Sequence, residues 1–195
     1  MKGGQAPSCA FTPAVIVVDM LEDNLKSGKH AMIEAVGMAL VPPLAAFLDR
    51  CRERGVRIVY ACDSFLPDDP LFRSRLEPHA IRGTPGAEVV AELAPKPGDL
   101  VLPKRRFSAF FKTDLDLTLR AWGVDTVAVC GITTQVCVLI TAMDAVSNDF
   151  SAVILSDLSA SHKPEVHEDC LRIHGRGALT PLLRVENSEE FLRSF

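Results

Sequence analysis

The sequence predicts an α/β protein: a three-layer αβα arrangement around a six-stranded, mostly parallel sheet, Rossmann-like and doubly wound. Three observations carry this. Short runs rich in β-branched residues recur, separated by segments with apolar residues at helical spacing. The clearest of these runs is apolar at every position up to its last, which fits a sheet covered on both faces. Hydrophobic residues make up 48% of the 195, enough for one sizeable core but too short a chain for two comfortable domains. Residues 1–195 therefore read as one domain, with residues 1–10 as a flexible N-terminal arm.

Taken in order, Ala14–Asp19 (AVIVVD) reads as the first strand. Pro42 and Pro43 fit the start of a helix, where a missing N–H leaves nothing unsatisfied; Leu44–Arg54 continues it and Gly55 stops it. Val56–Cys62 is a second strand. Asp63–Gly86, punctuated by Pro67, Pro70, Pro78 and Pro85, is a long loop, and loops of that length are usually functional. Ala87–Leu93 reads as a short helix and Asp99–Leu102 as a strand ending at Pro103. Thr113 is placed to cap a helix that Gly123 ends. Thr126–Cys130 is a strand, Gln135–Ser147 a helix and Ala152–Leu155 a strand; Glu165–Arg176, Leu182–Val185 and Ser188–Ser194 complete the series as helix, strand and helix. Right-handed crossovers make such a sheet parallel, and its ligand sites lie beyond the carboxyl ends of the strands. That rule singles out Asp19, Asp63, Lys104, the Gly131–Cys137 turn and Asp157.

Charge excludes some partners. Lys+Arg is 21 against Asp+Glu 25, and Lys104-Arg105-Arg106 is the densest basic run, so nothing points to nucleic acid or anionic lipid. Ala14–Val18 is too short to span a bilayer, and it ends in Asp19 rather than at a small-residue cleavage site. The expected address is the cytoplasm. The six cysteines form no CxxC pair and no zinc-module spacing, so most are expected to be reduced, buried hydrophobes.

Three residues carry the chemistry. Asp19 at a strand end is either a catalytic carboxylate or a cap for neighbouring N–H groups. Cys137 follows Gly131-Ile132-Thr133-Thr134-Gln135-Val136, which places it in the first turn of a helix. There the dipole favours a thiolate and free N–H groups can hold an oxyanion; the alternative is a buried Cys beside Val138 and Ile140. Lys104 after a proline is ordinarily a solvated lysine, unless it lies beside the other two.

VIVVDM with Asp19, KRRFSAFFKTDLD with Lys104 and GITTQVC with Cys137 resemble the three motif blocks of the isochorismatase-like cysteine hydrolases, in order and spacing, from about Val15 to Val185. That family includes nicotinamidases, N-carbamoylsarcosine amidases and ureidoacrylate amidohydrolases. The resemblance implies a six-stranded parallel sheet, a homo-oligomer, and a small amide or N-carbamoyl substrate cleaved at its C–N bond through an acyl-enzyme. It makes Cys137 the nucleophile, Asp19 the proton acceptor and donor, and Lys104 the stabilising cation. It also implies a cis peptide at Ile132–Thr133, with the Thr133 and Cys137 N–H groups as the oxyanion site. Metal-binding nicotinamidases use an Asp, a His two residues later and a second His downstream. Asp63 and His79 match the outer two, but Phe65 replaces the middle one, so no metal cofactor is favoured. If zinc or another divalent ion binds, Asp63 and His79 are its ligands, with Asp68 or Asp69 as substitutes.

Arg105 or Arg106 is placed to pair with a substrate carboxylate, and Phe107, with Phe110, Phe111 and Phe65, to supply an apolar wall. This favours a small anionic amide or N-carbamoyl compound over nicotinamide. Nicotinamidase remains the alternative within the family. A true isochorismatase is disfavoured by Cys137. A non-catalytic binding protein that retains the fold is the alternative of another class.

Overall fold

The computed structural model describes residues 11–27 and 31–195; the arm expected at residues 1–10 lies outside the described residues, as does Cys9. Six strands form one sheet: β1 (Pro13–Val18), β2 (Arg57–Asp63), β3 (Leu100–Lys104), β4 (Thr126–Ile132), β5 (Ser151–Ala160) and β6 (Leu183–Glu186). Every pairing is parallel, and the spatial order is β3-β2-β1-β4-β5-β6. The chain winds outward in one direction from β1, then in the other from β4. The switch point therefore lies between β1 and β4, where a crevice opens beyond their carboxyl ends.

Both faces are covered, as the apolar strands require. Val15, Val17, Ile58, Tyr60 and Val153 pack against α2 (Ala31–Glu53) and α6 (Ser188–Arg193). Ile16, Val18, Val59, Val127 and Ile154 pack against α3 (Leu115–Ala121) and α4 (Leu139–Ser147). Helix α5 (Pro164–His174) lies against β5, β6 and the turn before α4, and α1 (Glu22–Leu25) is a single turn beside α2.

Four expectations need correction. Pro42 and Pro43 do not start a helix; they lie inside α2. The apolar series Leu40, Val41, Leu44, Phe47, Leu48 and Cys51 runs through them and fixes one buried stripe. Both prolines sit on the exposed face, where water can solvate the carbonyls they leave unpaired. Pro103 does not end β3, because β3 is an edge strand whose outer side needs no N–H donor. The helix expected at Ala87–Leu93 is two short 3₁₀ turns, Pro85–Ala87 and Ala91–Leu93. Asp157 does not follow β5 but lies within it, since β5 continues past a register shift to Ala160. Its carboxylate accepts from the Ser188 N–H and hydroxyl at the start of α6, away from the crevice.

Candidate active site

Three strand ends build the site. Asp19 is the first residue after β1, with φ 54°, a left-handed conformation uncommon outside glycine. Its backbone is pinned from both sides. The N–H donates to the Ala61 carbonyl at 3.0 Å, and its own carbonyl accepts from Leu21 N–H at 2.9 Å and from the Asn24 side-chain amide at 2.9 Å. One carboxylate oxygen accepts the Asp63 N–H at 2.8 Å; the other accepts the Lys104 ammonium at 2.8 Å. Parallel pairing of β2 with β3 sets Asp63 opposite Lys104, and the same ammonium donates to Asp63 at 2.5 Å.

Cys137 arrives from β4. Gly131 has φ 105°, and a Cβ there would collide with the Val18 backbone, so only glycine allows β4 to end this close to β1. The Ile132–Thr133 peptide is cis. Thr134–Val138 then forms one turn of π-helix before α4, and Val136 and Val138 both donate to the Thr133 carbonyl. Ligand atoms of Asp19, Asp63 and Cys137 lie within 4.8 Å of one another, so the Cys137 thiol stands beside the Asp19 carboxylate.

The cluster is buried: Lys104 is 0% exposed and Asp19 3%. Two carboxylates face one ammonium. Burial opposes the charge on Lys104, but Asp19 and Asp63 outweigh it and raise its pKa. Burial, reinforced by the Asp19 charge, pushes the Asp63 carboxyl up despite Lys104. Burial and then Asp19 also lift the Cys137 thiol well above its ordinary value, with Lys104 pulling the other way. The helix-dipole argument made Cys137 a thiolate at rest. Burial favours the protonated thiol instead, beside the Asp19 carboxylate.

A cavity of about 410 Å³ opens onto this cluster. Ile33, Phe65, Leu71, Leu76, Phe107 and Val136 form its apolar wall, and Asn24, Ser74, His79, Thr133 and His162 are its other polar residues. Of the residues proposed to bind substrate, Phe65 and Phe107 are therefore here. Arg105 and Arg106 are not; both guanidiniums grip the buried Asp69, at 2.9 and 3.1 Å. Asp69 begins the 3₁₀ turn Pro70–Arg73, so the arginines brace the loop that supplies Leu71, Ser74 and Leu76. Asp69 is spent in this way and is no substitute metal ligand. Single Arg105→Ala and Arg106→Ala variants should each change KM for an anionic amide by less than about twofold, since one guanidinium still neutralises Asp69. Steady-state kinetics checks this, and a KM rise above about tenfold in either variant would put that guanidinium on the substrate.

A family model for the isochorismatase domain matches residues 13–174. The chain belongs to the isochorismatase family of hydrolases. This isochorismatase-family chain is 33% identical over 188 residues to a probable inactive nicotinamidase of Arabidopsis thaliana, covering 91% of this chain and 95% of that one. It is 31% identical over 190 residues to a ureidoacrylate amidohydrolase of Methylorubrum extorquens, covering 84% and 76%. Its fold matches an isochorismatase-like hydrolase from Alkaliphilus metalliredigens with TM-score 0.83 at 33% identity, covering 94% and 98%. It matches N-carbamoylsarcosine amidase from Thermoplasma acidophilum with TM-score 0.78 at 32% identity, covering 92% and 98%. The named amidohydrolases among these act on C–N bonds other than peptide bonds.

One further neighbour, the pyrazinamidase of Pyrococcus horikoshii, is a zinc complex; it matches with TM-score 0.78 at 28% identity, covering 90% of this chain and 99% of that one. The donors expected from the sequence, Asp63 and His79, fit a metal poorly. Asp63 is engaged by the Lys104 ammonium, and His79 Nε2 stands 4.0 Å from the other Asp63 oxygen. The Phe65 ring packs edge-on against His79 with centroids 5.3 Å apart, where a third ligand would have to reach. The trio of Asp19, Asp63 and Cys137 already surrounds a cation, the lysine ammonium. No helix among the described residues is long and apolar enough to cross a membrane.

Proposed function

We propose that this protein is a cysteine amidohydrolase that cleaves the C–N bond of a small, uncharged amide or N-carbamoyl group. The observation that carries the reading is the Lys104 ammonium held between Asp19 and Asp63 at the foot of the cavity, with the Cys137 thiol within 4.8 Å of the Asp19 carboxylate. Asp19 takes the thiol proton as the Cys137 sulfur attacks the carbonyl carbon. The oxyanion is received by the backbone N–H groups of Thr133 and Cys137. Collapse breaks the C–N bond, and Asp19 returns the proton to the leaving nitrogen. Water then hydrolyses the thioester, and the thiol is regenerated. Lys104 keeps Asp19 in place and offsets the charge that gathers during attack.

Among the described residues no lysine or arginine lines the cavity, so these residues offer a substrate carboxylate no guanidinium fork. An apolar wall with Asn24 and two histidines suits a neutral amide better than the anionic one expected from the arginines. Phe65 and Phe107 would also flank a planar ring, which keeps nicotinamide among the substrates to test. The relative named as a probable inactive nicotinamidase supports a second reading, in which the cavity binds a small molecule without cleaving it.

Ammonia release from nicotinamide, benzamide, N-carbamoylglycine and ureidoacrylate separates these readings. Release from at least one, abolished in Cys137→Ala, supports the hydrolase. Binding of one of them by both proteins with no release supports the second. Turnover should survive dialysis against a chelator, because Asp63 serves Lys104. Loss on chelation and recovery with zinc would make Asp63 and His79 metal ligands after all.

A further inference from the structure

We propose that His167, on α5, is a positioning residue for the nucleophile turn, acting through the hydroxyl of Thr134. The proposal rests on the cysteine mechanism above for its kinetic consequence, but not for its structural one. Thr134 is 0% exposed and is the first residue of the π-turn that carries Cys137. Its Oγ1 lies 2.8 Å from His167 Nδ1. The contact joins the turn directly to α5, with the hydroxyl or the ring nitrogen donating according to the imidazole tautomer.

His167 therefore ties the turn to α5 from outside the cavity it serves. The turn has few other restraints on this side. Beyond its own amides, it is held by the Gln135 side chain, which accepts from Ser161 at 2.6 Å, and by the Cys170 thiol, 3.8 Å from the Thr134 carbonyl. A π-turn has fewer hydrogen bonds per residue than regular helix, so an external tie has more to fix. What it fixes is the direction of the Thr133 and Cys137 amides and of the thiol. These matter more to the transition state than to substrate binding.

The two ring nitrogens can be imitated separately. Asparagine at 167 presents an acceptor near the Nδ1 position and preserves the Thr134 bond. Glutamine carries its amide to the Nε2 position and leaves the Thr134 hydroxyl without that partner. His167→Gln should lower kcat about tenfold with KM little changed, the scale of one lost hydrogen bond, and His167→Asn should recover most of that. Thr134→Val should reproduce the loss, and adding His167→Gln to it should cost nothing further.

Amide hydrogen exchange over residues 133–138 provides a readout that needs no substrate. Faster exchange there in His167→Gln and Thr134→Val, but not in His167→Asn, with unchanged protection in β1 and β4, supports the tie. Wild-type exchange in His167→Gln, or equal losses in the asparagine and glutamine variants, would overturn it. If no amide in the panel is turned over, the hydrolase reading fails while the exchange result still decides this one.

Discussion

Cys137→Ala should abolish turnover, lowering kcat by at least about 10⁴-fold, while the protein stays folded. The side chain is small and faces the cavity, so its loss opens little new void and should leave stability within about 1 kcal/mol. No other group in the cavity can replace it. Ser74 is the nearest alternative hydroxyl by type, but it donates to the Leu71 carbonyl at 2.7 Å and accepts the Leu76 N–H at 3.2 Å. Cys130 is the control. It is fully buried within β4, its thiol donating to the Ile16 carbonyl at 3.6 Å, and Cys130→Ala should leave kcat unchanged. Ammonia release and a thermal melt on both variants check this.

Lys104→Met should be the most damaging single change to the fold. Methionine fills much the same volume but removes the one cation between two buried carboxylates. Asp19 and Asp63 would then face each other as like charges out of water, at about 3–5 kcal/mol by analogy with broken buried ion pairs. The chain can relieve this by protonating one of them, and Asp63, already pushed up by burial, is the one to do so. Stability of the variant should therefore recover as pH falls. The unpaired carboxyl binds its proton more tightly folded than unfolded, so acid favours the folded form. Denaturant unfolding at pH 5 and pH 8 tests this. A Lys104→Met protein as stable as the parent at pH 8 would mean that the cluster is not the buried charge network described.

The sheet and the gathering of Asp19, Lys104 and Cys137 at one end of it could be read from the sequence for the same reason. Continuous apolar runs have no competing interpretation once they alternate with helices, and catalytic groups in such sheets gather at strand ends. Asp63 was legible as a strand-end carboxylate, but its part in the charge cluster depends on its register with Lys104, which sequence does not state. Pro42 and Pro43 misled because a local rule about helix starts outweighed a longer apolar stripe. Arg105 and Arg106 look available beside Lys104 in the sequence, and only the fold shows Asp69 between them. Ile33, Leu71, Leu76 and His162 were not foreseen as cavity residues; they reach it from separate segments, and no local pattern brings them together. No local pattern ties His167 to the Cys137 turn, because the two lie on separate elements that only the fold brings together.

The acyl-enzyme is the most direct test of the central claim. Wild-type protein is mixed with an amide that it turns over, quenched in acid within one turnover, and its peptides are weighed by mass spectrometry. The account predicts an adduct of the acyl mass on the peptide containing Cys137, absent from Cys137→Ala and discharged when the reaction is left to finish. Steady ammonia release with Cys137 unmodified at every time point, and undiminished in Cys137→Ala, would contradict it.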